Sequence, residues 1–176
     1  MAALVPLIMG NSHDGQTASI QGLPENTSAT LGRLARVDPC FVKDDLPTFI
    51  SGWCEGLARI ADINERRDAF EGLLLAIHAN PQAIISSNNR KSTVTALIFA
   101  IISWHIPPNE NGVKTITPEV LHGSYSFQPF PKEAIEVGQA LGQLIVQVKE
   151  ALGSEWDDVA KMPVNVRRLL SEVYQI

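Results

Sequence analysis

The sequence predicts an all-α chain, a solenoid of antiparallel helix hairpins, on three observations. Apolar residues recur at three- and four-residue steps through several separate segments. Asp-Pro, Asn-Pro and lone Pro residues stand where those segments start or stop. No β-branched alternation and no Asn-Gly hairpin signal of any strength interrupts them.

The opening Met1 to Met9 is apolar but lacks the basic region and small-residue cleavage site of a secretory signal, so it reads as a helix that begins abruptly. Glu25 to Leu34 continues as a helix-like run. Asp38 is placed as an N-cap before Pro39, which loses only an orphan donor at the first helical position. The helix expected from Pro39 carries Phe41, Val42, Leu46, Phe49, Ile50, Trp53, Leu57 and Ile60 on one wide apolar face, with a kink at Pro47. Asp62, with Glu65 three residues on, announces the next helix, with Asn64 as the alternative cap. Phe70, Leu73, Leu74 and Ile77 form its stripe, and Asn80-Pro81 stops it. The step from Asp38 to Pro81 is 43 residues, two helices and a turn, which fits the roughly 40 to 47 residues of a HEAT-type repeat.

Polar Ser86 to Ser92 reads as a loop before an apolar helix from about Thr93 to Trp104. Residues 107–131 are rich in Pro, Gly and Asn with little periodicity beyond Glu119 to His122, so a largely irregular connection is expected. Pro131 opens the most regular helix. Its stripe is Ala134, Val137, Leu141, Leu144, Ile145, Val148 and Leu152, its wet face Lys132, Glu133, Glu136, Lys149 and Glu150, and Gly153 ends it. A short helical turn begins at Ser154, and Pro163 opens a last helix with Val166, Leu169, Leu170 and Val173 at core spacing. Residues 1–176 thus form one segment, with irregular insertions near 86–92 and 107–131.

A hydrophobic content of 45% places the chain among globular proteins. Fourteen basic residues against 19 acidic ones give a formal −5, which argues against a binder of nucleic-acid phosphates. Two cysteines, Cys40 and Cys54, are too few for a disulfide framework, and no histidine stands beside them at a metal-binding spacing. The apolar run Val94 to Ile106 is 13 residues, short of the roughly 20 that span a bilayer. It is read as a buried helix, and no membrane partner is expected.

Nothing in the sequence looks catalytic. His13, His78, His105 and His122 share no motif, and no Ser or Cys is placed to make a triad with them. The pairs Asp44-Asp45 and Asp157-Asp158 are adjacent and splay apart around a helix, the pattern of a solvated face. No glycine-rich phosphate loop is present. Trp53, Trp104 and Trp156 lie on apolar stripes, which favours core packing over a stacking platform. The reading is of a binding protein with no cofactor and no metal.

The residues Glu25-Asn26-Thr27, Gly32-Arg33-Leu34, Trp53-Cys54, Leu57, Ile60, Asn64-Glu65, Asp68-Ala69-Phe70, Gly72, Asn80-Pro81, Ser103-Trp104 and Leu121-His122-Gly123 resemble, in that order, the C-terminal HEAT repeats of the transportins, karyopherin-β nuclear import receptors. Pro163, Arg168-Leu169 and Tyr174 resemble that family's final helix. The ordered set from Trp53 to Phe70 is the most specific part. The sequence departs from the pattern at Ser86 to Ser92 and at Lys114 to Lys132, both of which are longer.

What the resemblance implies is transport by scaffold. A concave helical surface holds cargo proteins through proline-tyrosine nuclear localisation signals, with nucleoporins and Ran-GTP as further partners in the cytoplasm and nucleus. The Ran site and the proline-tyrosine pocket would lie outside this chain. Only the edge of the cargo surface would remain, carried over to Ile20, Asn26 and Ala29, with Ala29 in place of a larger aliphatic residue. The Asn26 amide can both donate to and accept from a peptide backbone, and it can equally cap its helix. The alternative is a generic HEAT scaffold or adaptor outside nuclear import, and a small helical enzyme would need a converging polar pocket. Because repeats bury their faces on neighbours, the apolar Ala2 to Met9 is expected to form an exposed patch that promotes association, as in a fragment of a longer solenoid.

Overall fold

Helices carry the regular structure, and no strand occurs among the described residues. A computed structural model describes residues 23–85, 90–108, 116–123, 125–159 and 162–176, with Leu23, Pro24 and Val159 described by backbone alone. Helix α1 spans Leu23–Val37, α2 Leu46–Leu57, α3 Ile63–Ala79, α4 Gln82–Ile85, α5 Arg90–Ile102, α6 Pro118–His122, α7 Ile135–Leu152, α8 Trp156–Val159 and α9 Val164–Tyr174. The abrupt helix and apolar patch expected at Met1 to Met9, and the core of the Ser86 to Ser92 loop, lie outside the described residues.

Local chemistry sets most of the helix ends. The Asp62 carboxylate accepts from the Glu65 amide at 2.8 Å, so Asp62 and not Asn64 caps α3. Asp38 accepts from the Cys40 amide at 2.9 Å and caps a 3₁₀ turn over Pro39–Phe41. Thr117 caps α6 through the Val120 amide. Gly153 closes α7 at φ +53, a left-handed value that a side chain rarely adopts.

Three expectations are corrected. Pro47 does not kink a continuous helix from Pro39: the chain breaks after Phe41, and Pro47 sits in the first turn of α2, where its missing amide costs nothing. Phe41 is consequently 52% exposed and outside the core. The apolar helix begins at Arg90, inside the polar Arg-Lys-Ser run, because a helix's first turn tolerates solvated residues that its later turns bury. Val173 points outward at 49% exposure, although Val166, Leu169 and Leu170 are buried as expected.

The helices pack in two layers. Helix α1 lies along α3, and α3 meets α7; α2 lies along α5, and α5 meets α8. Each of these contacts skips at least one helix in sequence, which is how hairpins stack in a HEAT-type solenoid. Helix α2 packs more extensively on α1 and α5 than on α3. Trp53 joins the layers: its indole Nε1–H donates to the Ser28 carbonyl at 3.0 Å, and the Ser28 hydroxyl donates to the Trp53 carbonyl at 3.3 Å. All three tryptophans are buried, which is the expected core packing.

Candidate functional site

Of the residues carried over as cargo contacts, Ile20 lies outside the described residues, Asn26 is exposed on the first turns of α1, and Ala29 is 1% exposed among buried Thr27 and Ser28. Among the described residues no hydrogen bond occupies the Asn26 amide. Its backbone carbonyl accepts from the Thr30 hydroxyl at 2.8 Å. The side chain therefore projects a donor and an acceptor into solvent, and it does not cap the helix.

Helix α1 is held there by an unusually close seam. A Cβ placed on Gly32 would lie 2.4 Å from the Ala69 Cα, and one on Gly72 would lie 2.6 Å from the Gly32 Cα. Small residues let the two backbones touch, so α1 cannot slide along α3 without steric clash. Ion pairs flank the seam: Arg33 with Glu65 at 2.5 Å, and Arg36 with Asp68 at 2.8 Å and Glu71 at 3.1 Å. These side chains are about a third or more exposed, so their contribution is small and screened by salt.

The polar centre that the sequence reading missed is Arg66, which is 1% exposed. Its guanidinium donates to the Ile60 carbonyl at 2.9 Å and the Ala58 carbonyl at 3.3 Å, just past the end of α2, and also to the Ser103 hydroxyl. Helix C-termini leave carbonyls without intrahelical partners and attract cations, so Arg66 satisfies α2 from α3. The cation also lies 4.6 Å from the Trp104 ring centroid and 5.6 Å from that of Phe70. Burial pushes the guanidinium down to about 9, which leaves it cationic at neutral pH.

His105 is also buried, at 0% exposure, whereas His78 and His122 are exposed and His13 lies outside the described residues. Its Nδ1 lies 2.7 Å from the Gln128 carbonyl, which can only accept, so Nδ1 carries the proton. In the neutral ring Nε2 then accepts from the Tyr174 hydroxyl at 2.8 Å. Among the described residues no cluster of three His, Cys, Asp or Glu could hold a metal. No described helix is long and apolar enough to cross a membrane.

No family model matches the chain. Transportin-1 of Oryza sativa subsp. japonica is 33% identical to it over 123 residues, covering 70% of this chain and 12% of that protein. Transportin-1 of Homo sapiens is 35% identical over 104 residues, 57% of this chain and 10% of its own length. The transportin of Dictyostelium discoideum is 25% identical over 157 residues, 89% of this chain and 13% of its own. These repeats are transportin-like. The chain spans 10 to 13% of the length of the curated relatives it matches.

The structure shows what most of the transportin-like residues do. Gly32, Ala69 and Gly72 make the α1–α3 seam. Trp53 ties α2 to α1. The Asn80 amide donates to the Lys43 carbonyl at 2.7 Å, Ser103 receives Arg66, and the Gly123 carbonyl receives Asn165 at 2.7 Å. These are packing and connection roles. Asn26 and His122 are members of the set whose exposed polar side chains have no such role among the described residues.

Proposed function

We propose that this chain is the C-terminal segment of a transportin-like nuclear import receptor of the karyopherin-β family, acting by binding and not by catalysis. In this reading the receptor takes cargo proteins bearing proline-tyrosine localisation signals and carries them between cytoplasm and nucleus under Ran-GTP control, with the Ran site outside this chain. The observation that supports it most is the ordered residue set from Glu25 to Tyr174, several of whose members, Gly32, Trp53, Ala69, Gly72 and Ser103 among them, lie at contacts between helices.

Asn26 is the residue proposed to meet the basic or apolar leading part of the signal, through hydrogen bonds to an extended backbone. Ile20 is proposed to join it. Ala29 would act through its small size, since it is covered in this structure. Calorimetric titration of the product of the complete transcript with a basic peptide ending in Pro-Tyr, in low salt, tests the reading. Saturable binding is expected, and absence of heat at any peptide concentration tried counts against the assignment. For the 176 residues alone, weak or no binding is expected, because the principal pockets of such receptors would lie elsewhere.

A further inference from the structure

The described part of the connection between α5 and α7 is irregular in shape but tethered, and the last helix holds it. Asn165 of α9, itself buried, donates to the Val120 carbonyl at 2.9 Å and the Gly123 carbonyl at 2.7 Å, closing the end of α6. Arg168 donates to the Tyr125 carbonyl at 2.6 Å. Farther along, the Gln128 amide donates to the His105 carbonyl at 2.9 Å while His105 Nδ1–H donates back to the Gln128 carbonyl. Tyr174 of α9 binds the other side of the same imidazole. The connection and α9 therefore bind each other, and both end on His105.

Their polar attachment to the two-layer stack is narrower, through His105. Among the described residues the one broad helix contact of α9 is with α6. Beyond it, α9 buries Val166, Leu169 and Leu170 in the core, and two aromatic contacts add to this: Phe130 stacks on Trp104 with centroids 5.0 Å apart and lies against Gly138, and the Tyr174 ring lies against Gly142. Both glycines are spots where a methyl group would press on the ring, 2.8 Å from Phe130 and 3.1 Å from Tyr174. A group whose polar bonds run within itself and onto one residue of the stack opens as a cooperative unit.

We propose that α6, residues 125–131 and α9 form a single latch over the end of α5, with His105 as its keeper, and that the latch opens as a whole while α1–α3 stay packed. Opening would uncover the Trp104 face that Phe130 covers, so it would present an aromatic surface that the closed state hides.

Native-state hydrogen exchange on the full chain tests this. The Gln128 amide and the α9 amides are expected to exchange at one shared rate, faster than those of α1 and α3. Tyr174→Phe leaves a buried ring nitrogen without its donor, and it is expected to raise both latch rates roughly tenfold with α1 and α3 unchanged. Unrelated rates for Gln128 and α9 in the unaltered protein would overturn the latch. So would a Tyr174→Phe protein in which α9 speeds up and Gln128 does not, or in which protection falls equally everywhere. If Tyr174→Phe fails to fold, the shared rate in the unaltered protein and the milder Asn165→Ser decide.

Discussion

Gly32 and Gly72 face each other across α1 and α3 so closely that a Cβ on Gly72 would fall 2.1 Å from the Gly32 carbonyl oxygen. The obstacle is backbone, which cannot rotate aside as a side chain would. Gly72→Ala is therefore expected to destabilise the protein by about 3 kcal/mol, in spite of alanine's better helix propensity. Urea unfolding measures it, and an unchanged or raised midpoint would mean that the seam is looser than described.

Arg66 should be the most sensitive charged residue. Arg66→Ala strips the Ala58 and Ile60 carbonyls and the Ser103 hydroxyl of a shared donor and leaves a hole beside Trp104 and Phe70. A loss of about 3 to 5 kcal/mol is expected. Arg66→Lys should recover only part of it, because an ammonium cannot reach three acceptors in one plane. Equal stability of the two variants in denaturant titration would refute the planar role.

Capping gives a paired test. Asp62→Ala removes the bond to the Glu65 amide and should cost about 1 kcal/mol. Asp45 precedes α2 but makes no side-chain cap bond, so Asp45→Ala should shift the melting temperature little. A larger effect at Asp45 than at Asp62 would reverse the assignment.

The alkaline side of the stability profile should carry two buried groups. Burial raises Cys54 above its usual 9.0 and Tyr174 above its usual 10.0, so each stays protonated in the folded state after the unfolded chain has released its proton. Their contribution is complete below about pH 9 and is lost as pH rises beyond it. Arg66, shifted down by burial, opposes the trend, so the comparison of variants carries the test. Melting temperatures at pH 8 and 11 should fall less steeply in Cys54→Ala and Tyr174→Phe than in the unaltered chain, and parallel slopes would contradict this.

For the cargo reading, Asn26→Ala in the longer receptor should weaken a signal peptide by about five- to tenfold, the value of one or two solvated hydrogen bonds, with no change in melting temperature. An unchanged affinity would leave Asn26 a surface residue without that role.

Much of this fold is legible in the sequence because local chemistry decides it. Asp38, Asp62 and Gly153 act on amides and carbonyls within four residues of themselves, and the α7 stripe repeats with the helix period, so spacing alone reveals them. The break between Phe41 and Leu46 is not legible in the sequence, because Pro47 fits both a kinked helix and a fresh first turn, and the choice depends on whether Phe41 has a core to enter.

The candidate site divides the same way. The ordered set from Glu25 to Tyr174 pointed to a transportin-like stack from sequence alone, yet it did not say which members face each other. Only the tertiary structure brought Gly32 to Gly72, buried Arg66 against the end of α2, and joined His105 to Tyr174 across 69 positions. The physical reason is range. Caps and stripes are decided by neighbours along the chain, whereas a buried cation or imidazole is tolerable only where distant carbonyls, hydroxyls and rings converge on it, and that convergence exists only once the layers have packed.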